Sequence, residues 1–352
     1  MESVRLYLNR LPSKQTDKSF YRQVNPQQTI VIYDRRLPEH VPGFRQWLAQ
    51  FPYVFAVRSG ESLKSVDAFN GFLSKVHRKI GSEANPSWTV LAIGGGSVGD
   101  FAGFFASVYK RGLKLVHLPT TWLAAIDSSH GGKTGLNFQG AKNQIGTFYP
   151  AAATVMVRSV LMALPKAQLV DALGELLKIA IIDGKPWTQK MRLKHTSTPQ
   201  LAREVWKLLK PAVEAKMKIV RQDPLEKSGE RYRLNLGHTF GHVIEGATGA
   251  THGLSVWLGL QFAIELSLEE GILDPKRGAE LLTWLAKQSA MPVVQRPRLK
   301  KQIATKLMKT DKKRSGTNDV KFVFIKGLGK TEVRKISIDR LLSAAKENGW
   351  LR

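Results

Sequence analysis

The 352-residue chain contains no cysteine. Disulfides and thiolate metal or redox centres are therefore excluded, and any metal must be held by histidine and carboxylate. Acidic residues are scarce. Against 54 Lys and Arg stand 28 Asp and Glu, a formal net charge of +26 that draws anions, nucleic acid among them, toward the surface. Long apolar runs are also lacking. Even residues 256–268 carry Gln261 and Glu265, well short of the ~18 apolar residues of a membrane span. The opening residues lack the apolar stretch of a secretory signal, and Glu2 and Asp17 argue against a transit peptide. These absences predict a cytoplasmic protein. No internal repeat is evident, and the length with 43% apolar residues suits about two domains.

Residues 29–33 (TIVIY), 53–57 (YVFAV) and 88–93 (WTVLAI) are short β-branched and aromatic runs leading into polar or glycine-rich sequence. They read as buried parallel strands. Residues 101–109 are helical in pattern, and residues 113–118 add a strand ended by Pro119. This alternation predicts a doubly wound parallel sheet. From about residue 153 apolar positions recur every three or four residues, over 161–183, 201–221, 237–248, 253–270 and 277–289, which predicts helices. One late strand is expected at 320–325. The predicted fold is α/β: an N-terminal Rossmann-like parallel-sheet domain over 1–155, then a mainly α-helical domain over 156–352.

Gly94-Gly95-Gly96-Ser97-Val98-Gly99-Asp100 follows a strand pattern and opens a helix, where backbone N–H groups can face a pyrophosphate. The spacing is not G-x-G-x-x-G, so the turn alone fits an ordinary βα connection equally well. Asp34 at one strand end can accept ribose hydroxyls, and Glu61 and Lys64 supply an acid and a base at another, although each taken separately is more often a loop residue than a ligand. Residues 119–146 crowd hydroxyls, glycines, Asp127, Lys133, Lys142 and Asn143 together without helical or strand periodicity, a composition costly to bury. This stretch reads as an active-site loop, with a solvated surface loop as the plain alternative. His238 and His242 share a helix face; His252 follows, and Glu175 lies in a separate helical pattern with Lys178 one turn on. Two imidazoles and a carboxylate form a common catalytic zinc arrangement, although capping or core histidines suit the same spacing. The Glu of H-E-x-x-H is missing, which disfavours peptidase chemistry. The most basic segment, 298–314, has no interleaved aromatics for stacking single-stranded nucleic acid and reads as a solvated helix face followed by a basic loop.

In these motifs the sequence resembles the 3-dehydroquinate synthase family of sugar phosphate cyclases, from about Asp34 to Lys313. The glycine turn, the PTT…DSS-x-GGK-x-G-x-N…KN run, the GE-x-x-K segment and the LN-x-GH-x-FGH…HG segment occur in order. The resemblance implies metal ligation by Glu175, His238 and His252, with zinc or cobalt as the ion. It implies an NAD site at Asp34, Glu61, Lys64, Gly95, Gly96, Ser97, Asp100, Thr120, Thr121 and Lys142. Substrate residues carried over are Arg111, Asp127, Lys133, Asn143, Lys178, Lys216, Arg231, Asn235, His242 and Lys312, where a slip of one would exchange Lys312 for Lys313.

The substrate implied is 3-deoxy-D-arabino-heptulosonate 7-phosphate, whose phosphate and carboxylate ends require two separated sets of cations and donors. Arg111, Lys133, Asn143, Asn235 and His242 are expected at the phosphate, Lys216 and Arg231 at the carboxylate. The family's reaction is transient NAD⁺ oxidation, β-elimination of phosphate, reduction, ring opening and an intramolecular aldol closure to 3-dehydroquinate, in a cleft joining the two halves. A homodimer is implied, with Arg111 reaching a neighbour's phosphate site. Departures from the family pattern are Arg36, His130, Ala141, Ala163, Gly174 and Leu254; the last replaces an acid after His-Gly and implies altered metal affinity through a lost supporting partner. The competing readings are a cyclase acting on sedoheptulose 7-phosphate, a metal-dependent polyol or glycerol phosphate dehydrogenase, and a nucleic-acid binder. For this composition, nucleic-acid binding is expected to be no more than weak and electrostatic.

Overall fold

A computed structural model describes residues 3–194, 196–310 and 318–352. The chain divides into two compact units, Met1–Gln168 and Leu169–Arg352.

The first unit is built on six parallel strands, β1 (Val4–Leu8), β2 (Thr29–Asp34), β3 (Tyr53–Val57), β4 (Thr89–Gly94), β5 (Lys114–Pro119) and β8 (Ala153–Val157), in the order β1-β8-β5-β4-β2-β3. Alternate residues feed two cores. Ile30, Ile32, Val90 and Ala92 pack on one face with Phe69, Phe72, Phe101 and Phe105; Val31, Leu91, Ile93, Val116 and Val155 pack on the other with Phe20 and Phe44. Burial on both faces is why these strands read as continuous apolar runs. Helices α1 (Val66–Ile80) and α2 (Gly96–Val108) supply the phenylalanines of the first core.

The four expected strands are present within a residue or so at each end. β1 and β8, which complete the sheet, were not foreseen. The stretch 119–146 also differs from the single loop expected. It contains the short helix α3 (Trp122–Ile126) and an antiparallel hairpin, β6 (Lys133–Phe138) with β7 (Ala141–Phe148). β7 is exposed almost throughout, so it shows no apolar alternation. The strands approach closely through glycine: a Cβ on Gly146 would lie 2.4 Å from the Thr134 carbonyl oxygen.

The second unit begins within α4 (Lys166–Asp183) and continues with α5 (Thr198–Gln222), α6 (His238–Thr248), α7 (His252–Glu269), α8 (Pro275–Ala286), α9 (Lys301–Thr310), the hairpin β9 (Asp319–Gly327) and β10 (Lys330–Ser337), and α10 (Ile338–Glu347). The helix expected over 161–183 is two, because Pro165 separates Arg158–Met162 from α4. The single late strand expected is a two-stranded hairpin. The charged, half-exposed β10 gives no run to detect. α4 and the start of α7 meet backbone to backbone: a Cβ on Gly174 would stand 2.0 Å from the Gly253 carbonyl oxygen. Asp171 Oδ1 accepts the Gly253 N–H at 2.7 Å. This contact brings Glu175 and His252 together.

Candidate active site

Three helices of the second unit converge on one carboxylate. Glu175 on α4 is fully buried, and its Oε1 lies 3.1 Å from His238 Nε2 on α6 and 3.2 Å from His252 Nε2 on α7. The donor atoms of the three residues all lie within 4.8 Å of one another. Lys178, one turn along α4 and also buried, pairs with Glu175 Oε2. Burial favours the neutral acid, but the charges of Lys178 and His238 and the hydrogen bonds from both imidazoles hold Glu175 well below the usual carboxylate range.

The second nitrogens are engaged as well. His238 Nδ1 lies 3.2 Å from the Leu236 carbonyl oxygen and His252 Nδ1 3.2 Å from Glu245 Oε2. Each acceptor fixes a proton on Nδ1 and turns Nε2 toward Glu175. Two nitrogen lone pairs facing one carboxylate oxygen require a cation among them, a proton or a metal. For a proton, burial opposes charge on His252, yet hydrogen bonds to Glu175 and Glu245 outweigh it and raise the ring to about 10. Two imidazoles and one carboxylate also form the donor set of an open catalytic zinc site, so the residues fit a divalent metal. The supporting carboxylate that Leu254 does not provide is supplied to His252 by Glu245. That residue was not singled out from sequence, although its position seven after His238 and three after His242 places all three on one face of α6.

Around this centre the second unit places His242, exposed, with its ring 5.3 Å from His238 and 6.4 Å from His252. Lys216 on α5 and Arg231 are buried cations. Arg231 lies in the short helical segment Glu230–Asn235, which ends in Asn235, and donates from NH1 to the Pro224 carbonyl at 2.9 Å. Asp223 fixes the turn before it, accepting the backbone N–H groups of Lys227, Ser228, Gly229 and Arg231. Burial works against its charge, but these donors bring its carboxyl down to about 2. Lys312 lies outside the described residues.

In the first unit the glycine turn closes β4 and starts α2. A Cβ on Gly94 would meet Val98 at 2.5 Å, on Gly95 Thr121 Cγ2 at 3.0 Å and on Gly96 Ser128 Oγ at 3.3 Å. The turn is therefore packed against the residues that follow β5, leaving the first N–H groups of α2 for an anion. Thr121 caps α3, accepting the Ala124 N–H, and the Thr120 N–H reaches the Gly94 carbonyl at 2.9 Å. Ser97 Oγ accepts the Gly60 N–H at 3.0 Å. Buried Lys64 joins Asp100 at 2.7 Å and Asn143 Oδ1. Glu61 accepts from Asn137 at 2.8 Å, and Asn137 accepts the Asn143 N–H at 2.9 Å. Asn137, inside the run but not expected as a site residue, is thus the link between the two groups. Burial pushes Asp100 up, only partly offset by Lys64.

Asp34 is engaged by Arg36, which donates to it from its backbone N–H, Nε and NH2 at 2.9–3.2 Å and also reaches Ser59 Oγ at 2.7 Å. Burial opposes ionisation, but these bonds keep the Asp34 carboxyl low. Lys142 is exposed on the hairpin, and Arg111 is exposed beyond α2 with φ +67°. Lys133 Nζ sits 5.9 Å from the Phe148 ring centre, and Asp127 directly follows α3.

A parallel-sheet unit followed by a helical unit is the architecture of the sugar phosphate cyclases. The structure of 2-deoxy-scyllo-inosose synthase complexed with carbaglucose-6-phosphate, NAD+ and Co2+ matches with a TM-score of 0.81 at 22% identity, covering 98% of this chain and 96% of that one. At that identity the likeness is one of fold. Within this class the chain belongs to the 3-dehydroquinate synthase family: the family's N-terminal model matches residues 54–171 and its C-terminal model residues 172–314. The 3-dehydroquinate synthase of Streptococcus sanguinis (strain SK36) is 30% identical over 326 residues, 90% of this chain and 89% of that protein. That of Alkaliphilus oremlandii (strain OhILAs) is 41% identical over 216 residues, 60% of this chain and 58% of the relative's length. Among the described residues, no helix is long and apolar enough to cross a membrane.

Proposed function

We propose that the chain converts 3-deoxy-D-arabino-heptulosonate 7-phosphate to 3-dehydroquinate and inorganic phosphate, using NAD and a divalent metal, Zn²⁺ or Co²⁺. The observation that carries this reading is the convergence of Glu175, His238 and His252 on one point, with Lys178 paired to the shared carboxylate, in a chain that belongs to the 3-dehydroquinate synthase family. When bound, the dinucleotide supplies a hydride acceptor that returns the hydride within the turnover, and the metal supplies Lewis acidity toward the substrate hydroxyls.

The remaining work belongs to the chain. Glu175, His238 and His252 hold the metal, with Glu245 and the Leu236 carbonyl orienting the rings. The α2 N-terminus with Gly95, Gly96 and Ser97 takes the dinucleotide's pyrophosphate, and Asp34 its ribose. Glu61, Lys64, Asp100, Thr120, Thr121 and Lys142 complete the NAD contacts. Lys216 and Arg231, both buried, take the substrate carboxylate as charge-assisted partners. A sedoheptulose phosphate has no carboxylate and so has less use for two cations there. Arg111, Asp127, Lys133, Asn143, Asn235, His242 and Lys312 are assigned to substrate on the same family correspondence, chiefly at the phosphate for Arg111, Lys133, Asn143, Asn235 and His242. Orientation and fixed charge carry the catalysis, and no covalent nucleophile is needed. A cytoplasmic homodimer belongs to the same proposal.

The test is direct. Purified protein with NAD and Zn²⁺ or Co²⁺ should release phosphate and 3-dehydroquinate from the heptulosonate phosphate, with no net NADH. Net NADH would instead identify a dehydrogenase, and no phosphate release with either metal would end the proposal.

A further inference from the structure

The second unit contains a cavity of about 820 Å³ that none of the expected substrate residues lines. Its walls are the turn at Ser228 and Gly229, the segment bearing Tyr232 and Arg233, the β9–β10 hairpin, and Arg277 at the start of α8. Five cations face it: Arg233, Arg277, Lys321, Lys326 and Lys330; the lining carboxylate is Glu230.

Several of these groups are held in place. Arg233 donates from Nε to Thr331 Oγ1 at 2.8 Å and has NH1 3.6 Å from Glu230. Lys321 Nζ sits 5.6 Å from the Tyr232 ring centre, and the Tyr232 hydroxyl donates to the Lys321 carbonyl at 2.8 Å. The tip of the hairpin is anchored by the Gly329 N–H on the Ile181 carbonyl at 2.8 Å. Glu230 and Glu332 compensate Arg233 and Lys326. Arg277, Lys321 and Lys330 have no carboxylate partner among the described residues. Three uncompensated charges match about two phosphoryl groups at roughly −1.5 to −2 each. The volume falls within the roughly 300–1,000 Å³ of small-molecule pockets, whereas a duplex binder presents cations along an extended phosphate track.

We propose that this cavity is a second anion site that binds a diphosphate group, free or carried on a small molecule. Glycine at 229, with φ +91° and open space where a Cβ would stand, leaves room for the ligand beside the turn, whose own N–H groups are held by Asp223.

The test is isothermal titration of the protein with inorganic pyrophosphate, without NAD, whose own diphosphate would compete for the cavity; binding at the dinucleotide site is told apart because it does not respond to changes at Arg277 and Lys330. No substrate is present, so the result is independent of the proposed reaction. Charge reversal by R277E with K330E should weaken pyrophosphate binding roughly tenfold or more, while the same change of charge at K301E with K306E on α9 should leave it nearly unchanged. The neutral pair R277Q and K330Q, with a thermal melt for each variant, guards against a folding defect and should weaken binding by a smaller factor. Adenosine diphosphate binding more tightly than pyrophosphate, with the same sensitivity to R277E and K330E, would show a nucleotide as the carrier; equal affinity would show the diphosphate alone to be recognised. Equal losses in both charge-reversal pairs would reduce the effect to bulk charge, and binding unaltered by either would place the anion elsewhere; each overturns the proposal. Affinity for random duplex DNA that depends on Arg277 and Lys330, without saturable pyrophosphate binding, would overturn it too.

Discussion

Glu245→Gln isolates the contribution of the carboxylate behind His252. In the wild-type chain Glu245 Oε2 lies 3.2 Å from Nδ1 and Glu175 Oε1 3.2 Å from Nε2 of the same ring. Together they outweigh burial and raise it to about 10, above its ordinary value of about 6.5. The sign follows directly. A raised histidine favours the protonated fold, so its contribution is full below about 6.5 and is lost as pH rises through about 10. A metal at Nε2 must displace that proton. Around pH 7, roughly one proton should therefore be released for each metal bound at His252, and affinity should climb toward pH 10. Glutamine keeps an acceptor but removes the charge, lowering the ring's affinity for metal and proton together. Loss of such a supporting partner costs roughly tenfold to a hundredfold in metal affinity, and the weaker proton competition offsets part of it near neutrality. We expect a loss near tenfold at pH 7 that widens toward a hundredfold by pH 10, with a shallower pH slope than wild type. Chelator competition with Zn²⁺, with protons counted in a lightly buffered titration, measures both quantities. A loss independent of pH, or unchanged affinity, would refute Glu245 as the partner that tunes His252.

Gly174→Ala places a Cβ 2.0 Å from the Gly253 carbonyl oxygen. Because both sides are backbone, we expect about 1–3 kcal/mol of destabilisation, read as a lower denaturation midpoint, together with weaker Zn²⁺ binding; stability with unchanged metal affinity would show that the two helices need not meet so closely. Arg36→Ser releases Asp34 from its guanidinium, which is itself well exposed, and should tighten NAD binding by roughly twofold to fivefold in a fluorescence titration. Weaker binding would mean that Arg36 contacts the dinucleotide itself.

Although the short buried run of β8, ATVMV, leads directly into a helix and was not foreseen, the sheet was legible in β2, β4 and β5, because strands such as TIVIY and WTVLAI that are buried on both faces must be apolar throughout. It was illegible where a strand is exposed. β7, β10 and the partly exposed edge strand β1 hold their places by backbone pairing, which leaves little trace in side-chain pattern. The helices α4 to α8 were visible from three- and four-residue spacing, except where Pro165 cut one in two, whereas α10 was not foreseen. Within the site, His238 and His242 could be placed on one face from their spacing, and the same spacing reaches Glu245. The meeting of Glu175 with His252 could not be found in that way, since 77 residues separate them and the contact depends on two glycines.

That dependence bears on how far family resemblance can be carried residue by residue. Leu254 breaks the family pattern beside a proposed ligand, which by sequence implies a weakened metal site, yet the carboxylate on His252 comes from the preceding helix. Gly174 breaks it beside another, and there the smaller residue permits the approach of α4 to α7. Arg36 is different, since it adds three donors to Asp34 where the proposed ribose contact needs a free acceptor. Of these departures, Arg36 alone introduces a competitor for a proposed ligand contact, so a functional difference from the family should appear first as altered dinucleotide affinity and only secondarily at the metal.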